Sequence, residues 1–352
     1  MRTLLLLGLI AFSAVLCFPA AAQETAGVVE GRAVGADGTP LSYALVVLVP
    51  QDPEGRRRPR LTQPDGGFRF ENVRPGEYRL RLERIGFRTE SSPVLRVEAG
   101  RAVVHELRSV PQPVEIAGIV ADGSCFTLDR LEERPYLAAL WAEAQKNAEA
   151  RRAFERQYRY VYTLRQETVQ TFARGTGETE QRDTIVQHIA SDPDSAEARE
   201  EKRYRQRRAF GIQWLGSLTL DLPEDRELLS DGFLRDHCLE GRVQRVAGNW
   251  EFGFRPVRLR RGRIDVQGTI RVDTATFRVT ALTFEYLNGD NPFMEATVRY
   301  GDFEVPGGVV RLPHAGTFGG RPPGRRWGRL KQVSGTVEYA DYRDLRPARP
   351  TP

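Results

Sequence analysis

The stretch Asp65-Gly66-Gly67-Phe68-Arg69-Phe70-Glu71-Asn72-Val73-Arg74-Pro75-Gly76-Glu77-Tyr78-Arg79-Leu80-Arg81-Leu82 decides the fold of the first hundred residues. Asp-Gly-Gly and Pro-Gly are turn sequences, because glycine enters backbone conformations closed to other residues and proline fixes φ. Between the turns, Phe68 and Phe70 fall on one face of a strand. Tyr78, Leu80 and Leu82 fall on one face of the next, with arginines opposite. A period of two bounded by turns predicts antiparallel strands with one buried face.

The same grammar extends in both directions. Upstream, Val28 to Val34 alternates, Asp37-Gly38-Thr39-Pro40 makes a turn, and Tyr43 to Val49 is a β-branched apolar run. Downstream, Val94 to Val97 and Val103 to Leu107 complete about seven strands. Short strands at this spacing predict a β-sandwich. Four motifs occur in order: Gly31 with Asp37-Gly38-x-Pro40-Leu41, Ala44 and Val46; Thr62-x-x-Asp65-Gly66-x-Phe68-x-Phe70; Val73-x-Pro75-Gly76-x-Tyr78-x-Leu80; and Gly86-Phe87. Together they resemble the carboxypeptidase regulatory-like domain, a transthyretin-like sandwich. The resemblance implies a non-catalytic module of the kind that accompanies metallocarboxypeptidases, decorates surface proteins or precedes the plug of outer-membrane receptors. Pro113 to Ile119 faintly echoes the segment before such a plug. The residues after Ile119 are too few for a plug and a barrel of about 22 strands at roughly ten residues each.

After the sandwich the period changes. Thr127 is a candidate N-cap, Pro135 a first-turn residue, and Tyr136, Leu137, Leu140, Trp141, Ala144, Ala148, Ala153 and Phe154 recur at helical spacing. This predicts one long helix with its Trp141 stripe packed on a sheet. From Tyr158 the period returns to two, with Tyr158, Tyr160, Tyr162 and Leu164 on one face. Further strands are expected through Thr269–Val279, Leu282–Tyr286, Ala296–Tyr300, Val309–Leu312 and Gly335–Tyr342. Residues 173–204 and 319–328 read as loops. The Gly268–Asp273 hairpin, then Tyr300-Gly301-Asp302-Phe303, Gly307-Gly308 and Pro313, is similar to the wrapped half-barrel of periplasmic lipoprotein carriers (LolA-like proteins). The fold class expected is therefore mainly β: an N-terminal sandwich, then an α+β module of one long helix and an extended antiparallel sheet. The boundaries expected are 1–22 for a signal peptide, 23–112 for the sandwich, 113–126 for a linker, 127–346 for the second module and 347–352 for a disordered tail.

The leader carries the strongest address. Arg2, the apolar run Leu4–Phe18, then Pro19 and Ala20-Ala21-Ala22 have the layout of an export signal, with Gln23 as the mature N-terminus. Leu16 before Cys17 does not fit a lipoprotein signal. No other stretch is apolar enough to span a membrane. The mature chain has 51 basic and 47 acidic side chains, too small an excess to name an anionic partner. Of the basic residues only Lys146, Lys202 and Lys331 are lysines, which points to GC-rich bacterial coding. In an exported chain the two remaining cysteines, Cys125 and Cys238, are expected to pair.

Candidate chemistry is sparse. His237-Cys238-Leu239-Glu240 with His314 has the H-x-x-E plus His composition of a zinc peptidase. Module order and the β-rich pattern speak against one. His105 and His188 lack partners at ligand spacing. Asp192 and Asp194 read as a solvated turn. No nucleophile elbow, S-x-x-K or phosphate loop is present. Arginine clusters at 56–60, 203–208, 258–263 and 321–329, with Tyr204, Trp250, Phe252, Phe254 and Trp327 near them, read mainly as solvated strand faces and loop tips. Three functions are compatible with these residues. The leading expectation is a non-enzymatic, exported envelope protein that binds or scaffolds, with no catalytic, metal or cofactor residue. It would sit in the periplasm or at the outer-membrane periphery. Its partner would be an envelope protein or a lipid, peripheral membrane association is compatible, and nucleic acid is not expected. A lipid would require an open concavity lined by Tyr160, Phe277, Phe284 and Tyr286. The alternatives are a carbohydrate- or peptidoglycan-binding adhesin and a zinc metallocarboxypeptidase.

Overall fold

The computed structural model describes residues 26–112, 123–191, 212–214, 218–220, 225–259, 264–305, 308–321 and 329–347. The expected leader, residues 113–122 of the expected linker, Asp192, Asp194, Tyr204, Trp327 and most of the arginines in three of the four clusters lie outside the described residues.

The first module is a two-sheet sandwich. One sheet has the order β4 (Gly67–Val73), β1 (Gly27–Gly35), β8 (Ala102–Ser109). The other has β3 (Arg58–Leu61), β2 (Leu45–Pro50), β5 (Gly76–Glu83) and β6 (Glu90–Ser91), with β7 (Leu95–Val97) also paired to β5. Val29, Val46, Leu48, Phe68, Phe70, Leu80 and Leu82 fill the space between the sheets, and Tyr78 closes it half-buried. Gly66 holds the β-turn at φ 80°, where a Cβ would stand 2.4 Å from the Ala33 carbonyl oxygen. β1 and β8 run parallel, and β3 and β6 carry no alternation that marks them in the sequence.

The second module opens with β9 (Cys125–Phe126), inside the segment expected as linker, and a 3-10 turn, Leu128–Glu133. Thr127 stands before this turn rather than before the helix. Pro135 starts α1 (Pro135–Gln157), where its missing N–H costs nothing. Next come β10 (Tyr158–Arg174), β11 (Gly177–Ala190), the small pair β12 (Ile212–Trp214) and β13 (Leu218–Leu220), and short helices α2 (Asp225–Leu228) and α3 (Asp231–Leu234). β14 (His237–Val246), β15 (Asn249–Pro256), β16 (Ile264–Asp273), β17 (Val279–Asn288), β18 (Asn291–Val305), β19 (Gly308–Gly320) and β20 (Leu330–Pro347) complete the chain. Ten strands make one antiparallel sheet in the order β11-β10-β20-β19-β18-β17-β16-β15-β14-β9.

Residues 173–190 are therefore not a loop. They close a hairpin whose register runs from Val161↔Ala190 to Arg174↔Gly177. β11 is an edge strand of mostly exposed polar residues, so no hydrophobic period announces it. Gly319 and Gly320 likewise end β19.

The inner face of the sheet is filled. Leu137, Leu140, Trp141, Ala144 and Ala148 of α1 pack into one core with Phe252, Phe254, Ile270, Leu282, Phe284, Tyr286 and Val298. Tyr160 belongs to a different cluster, with Phe154, Leu45 and Leu61. The open concavity expected for a lipid is absent at Phe277, Phe284 and Tyr286, because the helix occupies it.

Cys125 and Cys238 are joined, tying two-residue β9 to β14, where Phe126 faces Leu239 in the ladder. Closure of a loop of this length stabilises by roughly 2–5 kcal/mol. Urea unfolding in the presence of a thiol reductant is expected to show that loss relative to the oxidised protein. Superimposable curves would contradict it.

Candidate functional site

Helix α1 is buried on more than its apolar stripe. Glu143, Lys146, Asn147, Arg151 and Glu155 are also buried: a sandwich loop lies against Glu143 and Lys146, and the second module's own elements enclose Asn147, Arg151 and Glu155. A buried charge needs a partner and hydrogen bonds, and these residues have both. Lys146 Nζ donates to Glu143 Oε1 at 2.6 Å, to the Phe87 carbonyl at 2.7 Å and to the Arg84 carbonyl at 3.3 Å. The Gly86 N–H donates to Glu143 Oε2 at 2.7 Å. The loop after β5 is thereby latched onto the helix. Nearer the helix C-terminus, the Leu61 N–H donates to Gln157 Oε1 at 2.5 Å. Leu45 and Leu61 of the sandwich share a core with Ala153, Phe154, Tyr160, Val310 and Leu312. Asn147 ties the helix to its own module instead. Its Nδ2 donates to the Phe277 carbonyl at 3.0 Å, and its Oδ1 accepts from the Val279 N–H at 3.3 Å.

Beside this latch a cleft of about 350 Å³ opens between the modules. Tyr43, Ile85 and Phe87 of the sandwich, and Val309 and Val310 of the sheet, form apolar walls. Tyr43 sits at φ 53°, a region where a bulky residue is an outlier. Burial, and then the neighbouring Tyr158 phenol, push the Tyr43 phenol far above its usual range. Charged groups line the rest. Arg151 is paired with Asp225 and, at 3.1 Å, with Glu155. The Asp225 N–H donates to the Tyr300 hydroxyl at 2.9 Å. Arg278 and Arg311 share Asp302, at 3.2 and 3.1 Å. The Arg84 guanidinium lies 4.9 Å from the centroid of the Phe87 ring. Burial, then the charge of Arg278, draw its pKa below the usual arginine range.

The structure scatters the residues expected of a zinc peptidase. His237 is buried, stacked on Phe233 at 3.8 Å, with Nδ1 against the Phe233 carbonyl at 3.1 Å and Nε2 against Asp265 at 2.9 Å. Glu240 lies 3.7 Å from Arg255. His314 is on β19, with four strands between it and β14. Among the described residues no group of three His, Cys, Asp or Glu side chains could hold a metal. His188 is exposed, 3.2 Å from the Thr163 hydroxyl, and His105 lies on β8. Trp141 is a core residue, as its stripe predicts. In the first arginine cluster, Arg58 is spent on the Glu71 and Asn72 carbonyls. Sequence reasoning missed the cleft because its residues come from several segments distant in the chain. Gly86-Phe87, Tyr300 and the Thr269–Val279 hairpin carry sequence signals that lie on it, each the mark of a strand or domain motif rather than of a site.

Residues 28–108 match the family profile described as the carboxypeptidase regulatory-like domain. These residues form such a domain. The match covers the sandwich and stops before the helix. No curated protein matches the chain. Among solved structures, a minor pilin of Streptococcus agalactiae is 17% identical over 27% of this chain and 48% of its own, with a TM-score of 0.22. This chain therefore spans about half of the pilin. A candidate outer-membrane lipoprotein-sorting protein domain of Vibrio parahaemolyticus is 11% identical over 57% of this chain and 92% of its own, with a TM-score of 0.27. A candidate carbohydrate-binding protein of Bacteroides uniformis is 9% identical over 78% and 99%, with a TM-score of 0.23. Likenesses of this size assign no function.

Two substitutions probe how the regulatory-like domain is held. Lys146→Met leaves Glu143 charged and buried without its partner, which costs about 3–5 kcal/mol. Urea unfolding is expected to show that loss, and Glu143→Gln added to Lys146→Met is expected to restore much of it. Equal stability of all three proteins would show that the latch is not formed. The second concerns Glu83, whose carboxyl burial raises above the usual range, against the pull of Arg81 2.7 Å away. A carboxyl that binds its proton more tightly when folded loses stability as pH rises from the unfolded carboxylate range through the raised value. Glu83→Gln is therefore expected to raise the melting temperature at pH 7 and to have no such effect below about pH 4. A pH-independent difference would contradict this.

Proposed function

We propose that this is an exported, non-enzymatic binding protein of the bacterial envelope, in which the regulatory-like domain and the helix-and-sheet module act as one body and receive a ligand at their shared cleft. The observation that carries the reading is the latch. A loop of one module is bonded to buried charges of the other, so a concave surface exists only where both are present. Sites of this kind prefer domain interfaces. The leader at residues 1–22 and the Cys125–Cys238 disulfide support an oxidising compartment outside the cytosol. Among the described residues no helix is long and apolar enough to cross a membrane. The ion pairs around the cleft hold Arg151, Lys146 and Glu143 in structural contacts, which supports binding over group transfer.

The test is recovery of the tagged protein from fractionated envelopes of its own host, with mass spectrometry of what accompanies it. The mature chain is expected to begin at Gln23, outside the cytosol. One defined lipid, metabolite or protein is expected to accompany it, and to be lost when Ser42→Trp fills the cleft. Retention of the leader in the cytosol, or turnover of a substrate by the purified protein, would overturn the reading.

A further inference from the structure

The cleft holds more positive charge than its own carboxylates answer. Lys146 is matched by Glu143, Arg151 by Asp225 and Glu155, and Arg81, next to the cleft, by Glu83. That leaves Arg84, Arg278 and Arg311 on the cleft wall with Asp302 as the one carboxylate bonded to any of them among the described residues. Arg84 makes no hydrogen bond and no ion pair through its guanidinium among the described residues, although it is half-buried. A second guanidinium, Arg278, acts on it through space. Arg311 uses Nη1 on Asp302 and Nη2 on the Tyr300 carbonyl, while its buried Nε has no acceptor. In this corner donors exceed acceptors, and like charges face one another in partly dry surroundings. Both conditions are unfavourable in the protein alone and are relieved by an anion.

The rest of the wall limits what the anion is attached to. About 350 Å³ is near the lower end of small-molecule sites, which run from roughly 300 to 1,000 Å³. It admits a single sugar- or amino-acid-sized body. Phe87 and Tyr43 offer aromatic contact, and Ile85, Val309 and Val310 offer aliphatic contact. The planar fork of arginine matches the two oxygens of a carboxylate or phosphate group.

We propose that the cleft between the modules binds a small organic oxyanion, a carboxylate or phosphate, with Arg84 and Arg278 holding the charged group and Phe87 and Tyr43 contacting its body. The assignment rests on the binding role proposed above and names the ligand chemistry. The same headgroup chemistry belongs to a soluble acid or to an anionic lipid, and one experiment separates these sources.

Purified protein is titrated calorimetrically with galacturonate, glycerol phosphate and neutral galactose, and is floated with vesicles of phosphatidylglycerol or phosphatidylcholine. At least one soluble anion, or the phosphatidylglycerol vesicle alone, is expected to bind, weakening as salt rises. Binding of the soluble anion marks a free ligand, and binding only to the anionic vesicle marks a lipid headgroup. Arg84→Gln and Arg278→Gln are each expected to weaken that binding roughly tenfold or more, equivalent to about 1.4 kcal/mol. Arg84→Lys, which keeps the charge and loses the fork, is expected to fall between. Absence of binding by every anion, galactose binding as well as galacturonate, or folded Arg84→Gln and Arg278→Gln proteins with unchanged affinity would overturn the assignment. Should all the anions fail while the envelope companion is still captured and still lost in Ser42→Trp, the binding reading stands and the oxyanion assignment alone falls.

Discussion

The structure depends on one desolvated ion pair. Glu143 and Lys146 lie a turn apart on α1, both buried, and each is bonded to backbone groups of the loop after β5. The attraction within such a pair does not by itself repay the loss of water; satisfaction of the remaining donors and acceptors is what makes burial tolerable. Here the Gly86 N–H and two carbonyls supply it. The helix thus carries two interfaces. Its aliphatic stripe serves the ten-stranded sheet, and Glu143 and Lys146 serve the sandwich.

This arrangement fills the inner face of the sheet beneath the helix. An antiparallel sheet of ten strands has an apolar inner face that must be covered. α1 covers it with Leu137, Leu140 and Trp141. The cleft between the modules lies beyond the helix, where its charged side, the turn between β16 and β17, and the sandwich loop meet. Polar lining is the expected character of a cleft in that position, since the apolar side of the helix is already used.

Much of this was legible in the residues. Asp65-Gly66-Gly67 and Pro75-Gly76 bound alternating strands, and the sandwich is their consequence. The α1 stripe predicts its packing, and the Thr269–Val279 hairpin and the cysteine pair are found where expected. Other features have no sequence signature for physical reasons. β11 is an edge strand with both faces in water, so nothing selects an apolar period. Glu143, Lys146 and Arg151 have the composition of a solvated helix face; a sandwich loop covers the first two, and Arg151 is paired with Asp225 far along the chain. The H-x-x-E motif is a coincidence of strand β14: one residue pairs with Asp265 in the interior and the other with Arg255 at the surface. Arg84, Arg278 and Arg311 stand far apart in the chain and meet only through the tertiary fold.

The central claim is that the two modules form one body around α1. Differential scanning calorimetry of the oxidised protein tests it most directly. A single transition is predicted, with calorimetric and van't Hoff enthalpies equal. Two resolved transitions, the smaller of them unaffected by loss of the Lys146 ammonium, would contradict the account.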